Sequence, residues 1–427
     1  MLGFVIGAMR REPGAVQRRR REITRWTRAG ARIAAAGAIL ALPVTNAAPA
    51  AAVPAPGTFA YVANGGANTV SVVDTKTNLV TDTIDIPGVN PTPVATVVNQ
   101  AGTKLYVINN TVPAANVSVI DTTTHALTTV TLTGQVGCID AALNPAGTRL
   151  YIACSGTNLV VMDTTNNNVS TIPLSGGVNP RGVAVNPDGT RVYTANLGTN
   201  DATVIDTSNN NASTIALPGA NSPGKVAVNP TGTRAYVTNG VSSNVSVINT
   251  AGAGTQIQLI ATGSGPIDAA VSPDGTRLYV TVIGPPSAVV VFNTTATPIT
   301  VVGAITTGID NPRSVAFNPA GTFAYVTNLN TNNMAVIDTV LLSVTDTVPG
   351  VITPFGVAVG AVPGTGSVPC PGDMVVTGGG AEITGPEPSN FVSKPADEPD
   401  NAWEVSLTNP TNQDITIRPY ALCSDPT

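Results

Sequence analysis

A tyrosine repeated seven times at nearly even spacing limits what this chain can fold into more than any other feature. Tyr61, Tyr106, Tyr151, Tyr193, Tyr236, Tyr279 and Tyr325 succeed one another at intervals of 45, 45, 42, 43, 43 and 46 residues. Each opens a tetrad, in order YVAN, YVIN, YIAC, YTAN, YVTN, YVTV and YVTN. Most tetrads follow a reversal such as Asn186-Pro187-Asp188-Gly189-Thr190 or Ser272-Pro273-Asp274-Gly275-Thr276. Proline presets φ in such a turn, and glycine takes the left-handed conformation that closes it. A valine-rich run comes next and ends in Asp-Thr or Asn-Thr, at Asp74, Asp121, Asp163, Asp206, Asn249, Asn293 and Asp338. Every unit therefore reads as four short strands: a small-residue strand A such as Val183-Ala184-Val185, the tyrosine strand B, the VSVVDT-type strand C and a Thr/Ile/Leu-rich strand D. Four β-branched strands in about 40–45 residues are the mark of a propeller blade. The expected fold is all-β, a seven-bladed β-propeller of four-stranded blades followed by a small β domain.

Closure is legible too. The chain enters the repeat at strand B, Phe59–Asn64, with no strand A before it. After the seventh unit, Phe355-Gly356-Val357-Ala358-Val359 has the composition of a strand A. Pairing it beside Tyr61 would join the two chain ends in one blade and leave no open seam. The tetrads and the turns before them resemble the YVTN-type repeats, a family of secreted seven-bladed propellers. The resemblance covers about residues 57–362; Tyr151, followed by Ile-Ala-Cys, and Tyr279, followed by Val-Thr-Val, depart from it.

Charge is concentrated at the start. Residues 1–32 carry nine of the twenty basic residues, all arginine, including the run Arg18–Arg21, against Glu12 and Glu22. An apolar stretch, Ile33 to Val44, and then Ala48-Pro49-Ala50 complete the pattern of a secretory signal peptide over 1–50, cleaved near Ala50. The apolar stretch is too short to span a bilayer about 30 Å thick. The competing reading is an uncleaved N-terminal anchor. Residues 51–427 hold 11 basic and 23 acidic residues, a formal charge of −12. That sign disfavours nucleic acid as a partner. No later segment has eighteen uninterrupted apolar residues, so the expectation is a secreted or envelope-associated monomer with no transmembrane segment in the mature chain.

The four cysteines, Cys138, Cys154, Cys370 and Cys423, suit disulfides in an exported protein. Strands A and B of the third repeat turn about Ala146, which sets Cys138 opposite Cys154. The rival reading, a metal or redox pair, lacks CxxC spacing and a nearby histidine. Residues 363–369 read as a linker, and 370–427 as a module bounded by Cys370 and Cys423. Cys370-Pro371, Gly378-Gly379-Gly380, Trp403-Glu404-Val405 and Tyr420 before Cys423 resemble a small β module of secreted actinobacterial proteins. A domain that small buries little core, so a Cys370–Cys423 bridge would matter to it.

Ligands of a propeller gather at one mouth of its channel, formed here by the loops entering strand A and those joining B to C. Asp140, Arg181, Lys225, Asp268 and Arg313 converge there, with Phe355 from the closing strand, in a chain only 11% charged. These six are the candidate ligand-binding residues. The tetrad asparagines and the Asp-Thr pairs read as turn-capping groups. Motifs of the HExxH, GxSxG, Walker and DxDxDG kinds are missing, and the single histidine, His125, falls in a C–D turn at the outer rim. No cofactor or metal is implied. The expectation drawn is an extracellular, non-enzymatic binding scaffold for a protein, glycan or small ligand. The alternatives are a lactonase- or lyase-like enzyme using the mouth Asp and Arg residues, and a periplasmic-type nucleic-acid-binding propeller.

Overall fold

The computed structural model describes residues 57–88, 90–362, 364–369, 375–384, 390–395, 402–408 and 416–424, the last five stretches as backbone strands. Residues 1–50, where a signal peptide is expected, lie outside the described residues, as does Cys370.

Each tyrosine repeat forms one four-stranded antiparallel sheet, as expected. Blade 4 is representative: Pro180–Val185 innermost, then Arg191–Asn196, Asp201–Asp206 and Ala212–Ala216. Inner strands touch the inner strands of the blades on either side all the way round, from Pro93–Val98 of blade 2 through Pro312–Phe317 of blade 7 to Pro354–Val362. That last strand pairs with Gly57–Asn64, Ala358 opposite Tyr61, and so completes blade 1 with both chain ends. Sealing by the closing strand leaves no unpaired blade edge between first and last repeat.

Cores lie between blades because both faces of the inner strands are apolar. Tyr106, Ile108 and Val117 of blade 2 pack on Leu150, Ile152 and Met162 of blade 3, and the pattern recurs around the ring. All seven repeat tyrosines are buried to within 1% of full exposure loss. At the end opposite the mouth, the Asp-Thr pairs form turns: Asp163 accepts from Thr165 and Asp206 from Ser208, and those hydroxyls hold both carboxyls below the usual range. The following threonine reaches back to the A–B turn, Thr207 Oγ1 donating to the Gly189 carbonyl at 2.8 Å. His125 sits in the C–D turn of blade 2 with Nδ1 2.9 Å from Asp82 of blade 1, at the outer rim.

Beyond the propeller, Gly364–Pro369 is a strand rather than the expected linker; it pairs with Ala402–Thr408, which also pairs with Asn390–Pro395. Its register partner supplies the ladder that a stretch rich in Pro and Gly does not announce by composition. Val375–Thr384 pairs with Thr416–Ser424. No helix among the described residues is long and apolar enough to cross a membrane.

Candidate functional site at the channel mouth

The mouth is built by one local irregularity used repeatedly. Most inner strands begin with a proline set opposite the last residue of the tetrad, as Pro223 is opposite Asn239 and Pro312 opposite Asn328. A bulge follows, and pairing resumes only at Val226, Ala269 and Val315 in blades 5, 6 and 7. The two residues after the proline leave the ladder, so their backbone groups need other partners. The tetrad threonine supplies one. The N–H groups of Lys225, Asp268 and Ser314 donate to Thr238, Thr281 and Thr327 Oγ1 at 2.8–3.0 Å. This is a physical reason for a threonine in the tetrad.

The side chain of the second bulge residue latches blade to blade. Asp140 Oδ2 accepts from the Val183 N–H of blade 4 at 2.9 Å, and Asp268 Oδ2 from the Val315 N–H of blade 7 at 3.0 Å. Ser314 accepts from Val357 of blade 1 in the same way. Lys225, which cannot accept, instead donates its Nζ to Asp140 Oδ1, reaching back across blade 4. It can do so because blade 4 has Gly182 at the equivalent place: a Cβ there would lie 2.3 Å from the Gly224 carbonyl oxygen and 2.8 Å from Lys225 Cα.

Asp140 and Asp268 are only 3% and 5% exposed. Burial pushes the Asp140 carboxyl up, opposed by the Lys225 ammonium and the Val183 N–H. For Lys225, burial acts to lower the pKa, but the charges of Asp140 and Asp268 outweigh it and hold the ammonium above its ordinary value. The cluster is thus one cation shared by two carboxylates, buried among the inner strands.

Of the six expected residues, the structure brings Asp140, Lys225 and Asp268 into one electrostatic cluster. Arg313 stands over the Phe355 ring at 6.0 Å, and Arg181 is exposed without an ion-pair partner among the described residues. Phe355 occupies the space above Gly65, where a Cβ would lie 2.7 Å from its ring. The residues that the sequence reading missed are Gly182, Ser314 and the tetrad threonines. Aligning the repeats on the proline that opens strand A would have exposed all of them.

Cys138 and Cys154 form the expected disulfide, both fully buried. It stands in blade 3 where other blades have the Pro–Asn pair. The ladder here, Leu143 opposite Leu150 and Asp140 opposite Ala153, would by itself set Ile139 against Cys154; a bulge between Val136 and Asp140 carries Cys138 into place. The tetrad asparagines tie strand B to strand C, Asn196 Nδ2 donating to Asp201 Oδ1 and Thr203 Oγ1. Among the described residues, no group of three or more His, Cys, Asp or Glu side chains could hold a metal ion.

Comparison with known proteins follows this geometry. The model of the family described as lactonase, 7-bladed β-propeller, matches residues 64–340. A search of curated proteins returns no match. Among solved structures, the fold is shared with a functionally unknown protein of Desulfotomaculum acetoxidans, 18% identical, TM-score 0.62, over 71% of this chain and 99% of that one. A periplasmic gluconolactonase of Pseudomonas aeruginosa is 17% identical, TM-score 0.60, over 72% and 100%. A candidate 6-phosphogluconolactonase of Bacteroides fragilis is 20% identical, TM-score 0.58, over 71% and 98%. The family match overturns the expectation of a non-enzymatic scaffold and favours the lactonase alternative. That expectation rested on missing histidine and nucleophile motifs, whereas an acid–base pair from two inner strands has no sequence motif. The chain belongs to the lactonase family of seven-bladed β-propellers.

Proposed function

We propose that this protein hydrolyses lactones at the mouth of its channel. The observation that carries the reading is the buried Asp140–Lys225–Asp268 cluster at the mouth of a lactonase-family propeller. Asp140, with a raised pKa, takes a proton from water as the water oxygen attacks the lactone carbonyl. The ring C–O bond then breaks, its oxygen takes up the proton that Asp140 accepted, and an open-chain hydroxy acid leaves. Lys225 offsets the negative charge that grows on the carbonyl oxygen, a preorganised cation in a poorly solvated site. Asp268 keeps that ammonium charged, and Arg181 and Arg313 meet the carboxylate of the product.

The test is background-corrected hydrolysis of a panel of sugar and aliphatic lactones by the purified protein, followed as acid release. Turnover of at least one lactone is the expected result; none above the spontaneous rate would refute the reading. The names of the two lactonase-like neighbours justify including glucono-1,5-lactone and its 6-phosphate in the panel.

The same proposal includes export. The arginine-rich start, the short apolar stretch and Ala48-Pro49-Ala50 support it, as does a disulfide in the catalytic domain. Kinship with the secreted YVTN-type propellers rests on the tetrads, and the division into a 57–362 propeller and a 370–427 module bridged by Cys370–Cys423 rests on composition.

A further inference from the structure

An inner strand has its outer edge covered by strand B and its two faces covered by neighbouring blades. Any surface its side chains still expose therefore faces the channel or one of its two mouths. At the first bulge position, just before the latching residue, blades 1, 2, 3 and 6 carry Phe355, Val94, Ile139 and Ile267, all partly buried, Val94 against the core between blades 2 and 3. The next residue of blades 1 and 2 is Gly356 and the buried Ala95, neither of which carries a charge. Of the charged cluster, Lys225 and Asp268 belong to blades 5 and 6, and Asp140 to blade 3 beside Ile139. The loops of this end expose further apolar side chains, Ile352 and Val112 in blades 1 and 2 and Val241 in blade 5. Blades 1 and 2 thus carry no charged side chain at either bulge position, while blades 3 to 7 carry Asp140, Arg181, Lys225, Asp268 and Arg313, the last standing over the Phe355 ring.

Accepting the lactonase reading above, we propose that the substrate is a lactone bearing an aliphatic substituent. Its ring ester meets Asp140 and Lys225, and its alkyl chain lies against Phe355, Val94 and Ile139. A polyhydroxylated ring would leave those side chains in contact with hydroxyl groups that find no partner there, which is unfavourable. An alkyl chain gains by leaving water.

The experiment uses the full chain and a series of γ-lactones from γ-butyrolactone to γ-decalactone, with glucono-1,5-lactone as the polar reference. Each methylene buried against them should raise kcat/KM about fourfold, so the fourth added methylene brings roughly a two-hundredfold gain. Val94→Ser and Ile139→Ser should each flatten that slope. A flat or falling series, or glucono-1,5-lactone exceeding γ-decalactone, would overturn the inference and leave the lactonase reading standing. Absence of turnover across both kinds of lactone would overturn the two together.

Discussion

Replacing Lys225 by methionine keeps the length and bulk of the side chain while deleting its charge. Asp140 would then be 3% exposed with the Val183 N–H as its remaining partner. Removing one member of a buried ion pair costs about 3–5 kcal/mol, because the other charge stays desolvated. The Lys225 side chain is 31% exposed, which places the expected loss at the lower end, about 3 kcal/mol. The variant should also acquire a distinctive pH dependence. Without Lys225 the native-state pKa of Asp140 rises further above its unfolded value. The folded protein then binds more protons than the unfolded chain, so stability falls as pH rises through that pKa. Urea denaturation between pH 4 and pH 8, followed by two spectroscopic probes whose transitions must coincide, measures both effects. Lys225→Met should lose most of its deficit in acid, and Asp140→Asn combined with Lys225→Met should be more stable at neutral pH than Lys225→Met alone. A deficit below about 1 kcal/mol with an unchanged pH profile would match a solvated surface pair and refute the buried-cluster argument.

Gly182→Ala places a methyl group 2.3 Å from the Gly224 oxygen. Overpacking of this kind costs about 1–3 kcal/mol, and lactone turnover should fall with it because Lys225 is displaced. Cys138→Ser with Cys154→Ser opens a loop with a sequence separation of 16. Thermal or urea denaturation should show a loss of about 3 kcal/mol on the chain-entropy estimate. His125→Asn installs the residue that Asn78 supplies in the blade before, at the same left-handed φ of about 55°. Stability should change by less than about 1 kcal/mol and the lactone hydrolysis rate should not change, which would confirm that the only histidine takes no part.

Much of the architecture could be read before any coordinates. Tyr61 to Tyr325 marked the seven blades, Phe355–Val359 marked the closing strand, and the Asp-Thr pairs marked the outer turns, because each depends on local residue type. The cluster was legible only as a list of residues. That Lys225 meets Asp140 two blades away depends on Gly182 having no side chain between them, a fact about neighbouring backbones that no short window contains. Gly364–Pro369 reads as a linker because its partner strand, Ala402–Thr408, lies far along the chain, Gly364 pairing with Leu407 and Pro369 with Ala402. The functional expectation failed because it weighed absent contiguous motifs above the mouth Asp and Arg residues, which come one from each blade and form no motif.

The measurement that tests the central claim most directly is lactone hydrolysis by Asp140→Asn beside the unaltered protein. Asparagine keeps an oxygen for the Val183 N–H but cannot take a proton from water. The account predicts a loss of about 10²–10⁴-fold in kcat, as for removal of a general base, with the circular dichroism of the propeller retained. In the unaltered protein the rate should fall on acidification as the Asp140 carboxyl gains its proton, at a pH above that of an ordinary aspartate. An Asp140→Asn protein that is folded and hydrolyses its best lactone at the unaltered rate would contradict the assignment of the mouth cluster as the active site.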